Sequence, residues 1–123
     1  MEDFNLVVKE LISKGIENVI IPETIKSNFD QTAENYIKNG NLLDAIKVFA
    51  LTKNNKKLIE TADLCLKENK PYEAFYGFYY ANESEGLNKV GFIFLQIPDI
   101  EKALKSFKLA KNNEMIKFLE ENF

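Results

Sequence analysis

The chain contains no arginine, no histidine and no tryptophan, and only one cysteine, three prolines and five glycines among 123 residues. Each absence removes a class of function. Without histidine the commonest general base is missing, and no Cys/His pairs exist to hold a metal. All sixteen basic residues are lysine, which lacks the rigid fork with which arginine grips phosphate or carboxylate. The lone Cys65 permits no internal disulfide, so a cytoplasmic location is the default. Gly77, Gly86 and Gly91 stand singly inside helical patterns, so no phosphate-cradling loop exists. The acidic residues are scattered rather than spaced as ligands, and no metal or cofactor is expected. A net charge of −3 without a basic run argues against nucleic acid. No apolar run approaches the roughly 20 residues needed to span a bilayer, so no membrane association is expected. Met1-Glu2-Asp3-Phe4 also lacks the basic-then-apolar order of a signal peptide.

What is present is a repeat. Ala45, Ala74 and Ala103 stand at one register position, 29 residues apart, and so do Phe49, Phe78 and Phe107. The same step links Ala33, Ala62 and Gly91, then Tyr36, Cys65 and Phe94, then Phe29, Leu58, Leu87 and Ile116. Registered self-similarity of this kind marks stacked supersecondary units. Hydrophobic content of 46% supports one globular domain. Residues 1–28 read as a divergent N-terminal cap, 29–55, 56–83 and 84–112 as repeats, and 113–123 as a capping helix.

Within this frame the chain divides into helices. Residues 3–14 carry Phe4, Val7, Val8, Leu11 and Ile12 at helical spacing, with Asp3 as cap and Gly15 as stop. Ile16 to Ser27 reads as a short helical turn or extended piece, because Pro22 breaks a helix continuing from Val19-Ile20-Ile21. Each repeat then supplies two helices, A and B. The first A helix is expected from about Phe29, with Ser27 and Asp30 resembling a capping box. The first B helix follows Asn39-Gly40-Asn41 and buries Leu43, Ala45, Ile46 and Phe49. The second repeat places helices at Lys56–Glu68 and Pro71–Ala81, with Pro71 at a first helical position. The third places them at Ser84–Gln96 and, after Ile97-Pro98, Asp99–Lys111, with Asp99 as cap. Asn112-Asn113 open the last helix, Glu114–Asn122. Val90 to Leu95 alone has strand composition, but the repeat register makes it helix.

The repeated residues resemble the tetratricopeptide repeat. The first half reads Phe29-x-x-Thr32-Ala33-x-x-Tyr36, and its copies run from Leu58, Leu87 and Ile116. The second half reads Ala45-x-x-x-Phe49, with copies at Ala74 and Ala103. The chain departs from the family in its 29-residue period, against roughly 34, in having no tryptophan and in lacking the proline between repeats. The short helices also resemble the solenoid repeats of clathrin and coat-complex subunits. The resemblance implies an all-α, right-handed solenoid of about three hairpins with capping helices at both ends. Small residues at Ala33, Ala62 and Gly91 would let helix A approach helix B, and the phenylalanine of B would fill the gap between repeats. Glu120 occupies the small-residue position of the last helix, which should therefore face water.

Two surfaces are candidates for function. Tyr76 and Tyr79 align with Lys47 and Lys105 and with Ala50 and Lys108, so both are expected to face solvent as an anchor for a protein partner. The resemblance also implies a groove along the A helices, with Asp30, Glu34, Ile59, Asp63, Asn88, Phe92 and Gln96 at its lining positions. Cys65 shares a core position with Tyr36 and Phe94 and is expected to be buried and inert. The reading is a non-catalytic interaction or scaffolding module that binds a protein or peptide. The alternative is a structural subunit, a homodimer for example, that self-associates through Tyr76 and Tyr79. Phe78→Ala, removing the central plug, should cost about 3–5 kcal/mol of the roughly 5–15 available, read by denaturant unfolding; a loss below about 1 would place Phe78 outside the core.

Overall fold

The element boundaries obey the 29-residue step more strictly than the side chains do. The computed structural model describes residues 4–17 and 19–123. Its helices are α1 (Asn5–Lys14), α2 (Lys26–Lys38), α3 (Leu42–Thr52), α4 (Asn55–Lys67), α5 (Pro71–Ala81), α6 (Ser84–Gln96), α7 (Ile100–Ala110) and α8 (Asn113–Asn122). Lys26, Asn55, Ser84 and Asn113 thus open the A helices one step apart, and Leu42, Pro71 and Ile100 open the B helices likewise. The units accordingly start at 26, 55 and 84. Val90 to Leu95 lies within α6, because Val90, Gly91 and Phe94 are buried at helical spacing. No strand occurs among the described residues.

Backbone hydrogen bonds at the turns explain this regularity. Each B helix ends in a residue with left-handed backbone: Lys53, Asn82 and Lys111, at φ 57°, 53° and 59°. The next amides, of Asn54, Glu83 and Asn112, donate to the carbonyls of Phe49, Phe78 and Phe107 at 2.9 Å each. These are Schellman-type closures, which satisfy carbonyls that the helix leaves without partners. Between A and B, the amides of Asn41, Lys70 and Asp99 donate to Tyr36, Cys65 and Phe94 at 2.8, 2.8 and 2.6 Å. Gly40 (φ 80°) and Asn69 (φ 59°) make the first two of these turns, and a cis Ile97–Pro98 bond makes the third. Side chains of Asn54, Asp99 and Asn112 then cap α4, α7 and α8 by accepting from the amides of Lys57, Lys102 and Met115.

Packing runs between chain neighbours. The closest partners are the two helices of a hairpin, α2 with α3, α4 with α5 and α6 with α7. Each hairpin then meets the next through α3 and α4, α5 and α6, and α7 and α8, while α3 also touches α5. The arrangement is a solenoid-like stack of helical hairpins. The contacts are close because the interface side chains are small. A Cβ on Gly77 would lie 2.7 Å from the Ala62 Cβ, and one on Gly91 would lie 2.8 Å from the Phe107 ring. At Gly86 a Cβ would overlap the Phe78 ring, which bridges α5 and the following α6. Phe49, Phe78 and Phe107 are all sealed from solvent.

The ends of the stack depart most from expectation. Asp3 lies outside the described residues. Val7 is half exposed rather than buried, because α1 packs lightly on α2 and α3 and presents a narrow stripe centred on Val8. A 3-10 turn, Glu23–Ile25, runs directly into α2, so Ser27 sits inside the helix and forms no capping box with Asp30. Leu42, not Leu43, completes the buried α3 series with Ala45, Ile46 and Phe49, since 42 precedes 45, 46 and 49 by three, four and seven residues. At the other end Glu120 is exposed and faces Lys108 at 3.9 Å. Gly86→Ala should destabilise the protein by about 1–3 kcal/mol in urea unfolding, the overlap with Phe78 outweighing the helix-propensity gain of about 1 kcal/mol.

Candidate functional site

The A helices carry polar positions whose partners change from hairpin to hairpin. Asp30 on α2 is engaged: Thr52 Oγ1 donates to its Oδ1 at 2.6 Å and Asn54 Nδ2 to its Oδ2 at 3.2 Å. Asn88, two steps on, accepts from Asn112 Nδ2 at 3.0 Å. Both side chains therefore hold an A helix to the cap of the next one. Glu34 is paired with Lys57 at 3.0 Å, and Lys57 also reaches Glu60 at 3.4 Å. These two carboxylates hold the Lys57 ammonium above its ordinary pKa, Glu34 contributing most.

The remaining groove candidates are less committed. Ile59 is half-buried and Asp63 exposed, and together they line an opening of about 190 Å³ whose floor includes Phe78 and Gly86. Phe92 is 48% exposed with its ring edge-on to Phe107 at 5.0 Å. Gln96 is exposed at the end of α6. Ile59 and Asp63 are thus brought together at one opening, while Asp30, Glu34 and Asn88 are held in ties between units.

The aromatic face lies on α5. Tyr79 is 41% exposed and stacks on Phe75 at 6.1 Å and 3°. Tyr76 is half-buried rather than open, with the Lys102 ammonium 5.2 Å from its ring and 4.3 Å from that of Phe75. A lysine from α7 therefore crosses this face, a contact favoured by the ring quadrupole. Tyr80 packs against both neighbours, at 6.4 Å from Tyr76 and 5.2 Å from Tyr79. Its phenol pKa is raised by burial first, then by Tyr79, Tyr76 and Glu17. Tyr72 belongs to the same helix face and was not singled out from the sequence, although 72, 76 and 79 are spaced i, i+4, i+7. Its hydroxyl donates to Asp99 Oδ2 at 2.7 Å and its ring meets Phe94 at 5.0 Å. That bond raises the Tyr72 pKa and lowers that of Asp99.

Chemistry beyond contact finds few reactive groups. Cys65 is fully buried, and burial pushes its thiol up to about 12, leaving almost no thiolate at neutral pH. Among the described residues no group of three His, Cys, Asp or Glu side chains is placed to hold a metal. No helix among them is long and apolar enough to cross a membrane. An open polar cleft of about 620 Å³ lies between α1 and the α2–α3 turn, lined by Asn5, Lys9, Asn35, Asn39, Asn41 and Asp44 among others. No protein-family model, curated protein or solved structure matches this chain.

Of the candidate groove carboxylates, Asp30 and Asp63 stand in opposite situations. Asp30→Ala leaves the Asn54 amide without its acceptor and the buried Thr52 hydroxyl with only the Phe49 carbonyl at 3.3 Å. It should cost about 1–3 kcal/mol in denaturant unfolding. Asp63→Ala, on an exposed side chain, should change stability by no more than about 0.5 kcal/mol.

Proposed function

We propose that this chain is a non-catalytic interaction module, a right-handed, tetratricopeptide-like stack of three hairpins that binds a protein or peptide partner in the cytoplasm. The observation that carries the reading is the aromatic face of α5. Tyr72, Phe75, Tyr76, Tyr79 and Tyr80 contact one another or the neighbouring hairpin ring by ring, and Tyr72 and Tyr79 still expose about two-fifths of their surface. Rings held in place before a partner arrives lose little side-chain freedom on binding. Tyrosine in turn offers both apolar area and a hydrogen-bonding hydroxyl, the combination enriched at interface hot spots. The positions register-equivalent to Tyr76 and Tyr79 in the flanking B helices hold Lys47, Ala50, Lys105 and Lys108, so these two tyrosines interrupt a mostly lysine-bearing column.

A second reading rests on the same face. Two copies meeting through Tyr76 and Tyr79 would make the chain a self-associating structural subunit. Replacing Tyr79 with a photo-crosslinking phenylalanine analogue separates the two. The module reading expects a discrete adduct with a foreign protein in native extract, absent when the analogue replaces exposed Lys67. An adduct of twice the chain mass, with a dimer by light scattering that Tyr76→Ser/Tyr79→Ser abolishes, establishes self-association instead. A crosslinking pattern equal to that of the Lys67 control rejects the aromatic face.

A further inference from the structure

The ion-pair bridge of the first unit has an apolar counterpart at the C-terminal end of the stack. Lys57 on α4 holds Glu34 of α2 at 3.0 Å and Glu60 of its own helix at 3.4 Å. Two 29-residue steps on, the same three positions hold Phe92 on α6 and Met115 and Phe118 on α8. The copy between them holds Asp63, Gly86 and Lys89, so the stack forms without apolar side chains in these columns. Phe92 and Phe118 are nevertheless 48% and 50% exposed. The Phe92 ring is held edge-on by Phe107 at 5.0 Å, and Met115 is half-buried against the core. Apolar side chains gathered on a surface and not required for folding mark a place of contact. Methionine adapts its shape to whatever lies on it.

The charges around this patch decide what it can receive. On α8, Phe118 stands between Glu114, four residues before it, and Glu121, three after, all on one helix face. Both carboxylates are exposed, and neither has an ion-pair partner among the described residues. Lys117 lies about 100° round the helix from Phe118, and Lys89 lies a turn before Phe92 on α6. A second copy meeting this face along α8 would set glutamate against glutamate on both sides of the rings, which is unfavourable. A partner helix lying along α8 has the same pitch, so its cations seven residues apart would reach both carboxylates. We propose that Phe92, Met115 and Phe118 receive the apolar face of a basic amphipathic helix from a partner protein, its lysines or arginines meeting Glu114 and Glu121. The partner thus brings both an apolar anchor and the cations that this face lacks. This inference rests on the reading of the chain as an interaction module.

The test uses the full chain labelled with nitrogen-15 and a capped alanine-based helical peptide of about 18 residues. The peptide bears one central leucine, with a lysine four residues before it and another three after. A second peptide replaces both lysines with glutamate, and a third replaces the leucine with serine. The expected result is amide shifts clustered at Phe92, Met115, Phe118 and Glu121 with the first peptide alone, weakened by added salt. Phe118→Ser should weaken binding at least about tenfold. Glu114→Gln/Glu121→Gln should weaken it and flatten its salt dependence, with circular dichroism unchanged. Equal binding of either control peptide, shifts confined to other elements, or affinity indifferent to both variants would overturn the proposal. So would a dimer by light scattering that Phe118→Ser returns to monomer, since a second copy would then occupy the patch. Absence of these shifts alongside a foreign Tyr79 adduct rejects the α6–α8 patch alone, whereas absence of both rejects the interaction reading too.

Discussion

How closely the two helices of a hairpin approach decides everything else in this structure. Ala33, Ala62 and Gly91 on the A helices, with Ala45, Ala74 and Ala103 on the B helices, are sealed from solvent. Larger side chains there would hold the helices apart. With the backbones close, the Phe107 ring packs on Gly91 and Phe92 of its own hairpin, and the Phe78 ring reaches Gly86 in the seam where the next unit stacks. Phe78 fills that seam so fully that Gly86 has no room for a methyl group. Burial of such rings is worth roughly 2–3 kcal/mol each, and three of them recur along the stack. A unit cannot bury this ring alone, which is why the units need neighbours.

The backbone repeats more faithfully than the side chains because hydrogen-bonded closures, rather than residue identities, set the turns. Lysine, asparagine and lysine all adopt the left-handed position that ends a B helix. Glycine is the usual occupant there, yet the asparagine pairs that follow at 54–55 and 112–113 still mark two of these ends in the sequence. Glycine, asparagine and proline likewise occupy one column of the A–B turn, and the same carbonyl is satisfied each time. Constancy of the scaffold leaves the outward columns free to vary. An ion-pair bridge, an unfilled opening and a pair of exposed phenylalanines follow one another on equivalent positions. The variation sits where binding chemistry would have to sit, on the surface of a rigid frame.

The architecture was legible because its cause is periodic. Ala and Phe recur at one step, the capping Asn54 and Asn112 stand two steps apart, and burial at helical spacing overrides the strand-like composition of Val90 to Leu95. Exposure of Glu120 followed from the cost of burying a carboxylate at a small-residue position. The places where the reading slipped lie outside the period. The helical turn expected between Ile16 and Ser27 forms at Glu23–Ile25, but it runs straight into α2, so Ser27 lies inside the helix and does not cap it. Val7 belongs by its spacing to an apolar stripe wider than α1, at the edge of the stack, has neighbours to cover.

The sequence by itself determined the helical class, the 29-residue unit, the buried identity of Cys65 and the polarity of the last helix, because each depends on local spacing and transfer cost. Only the tertiary structure decided which surface residues are at liberty. Asp30 and Asp63 look alike in the sequence, yet one is held by Thr52 and Asn54 and the other lines an opening. Tyr76 and Tyr79 also look alike, yet Lys102 from the next hairpin crosses the first and leaves the second exposed. The physical reason is common to both pairs. A side chain's partners come from residues more than twenty positions away, and their reach is set by how the hairpins stack rather than by any pattern within one of them.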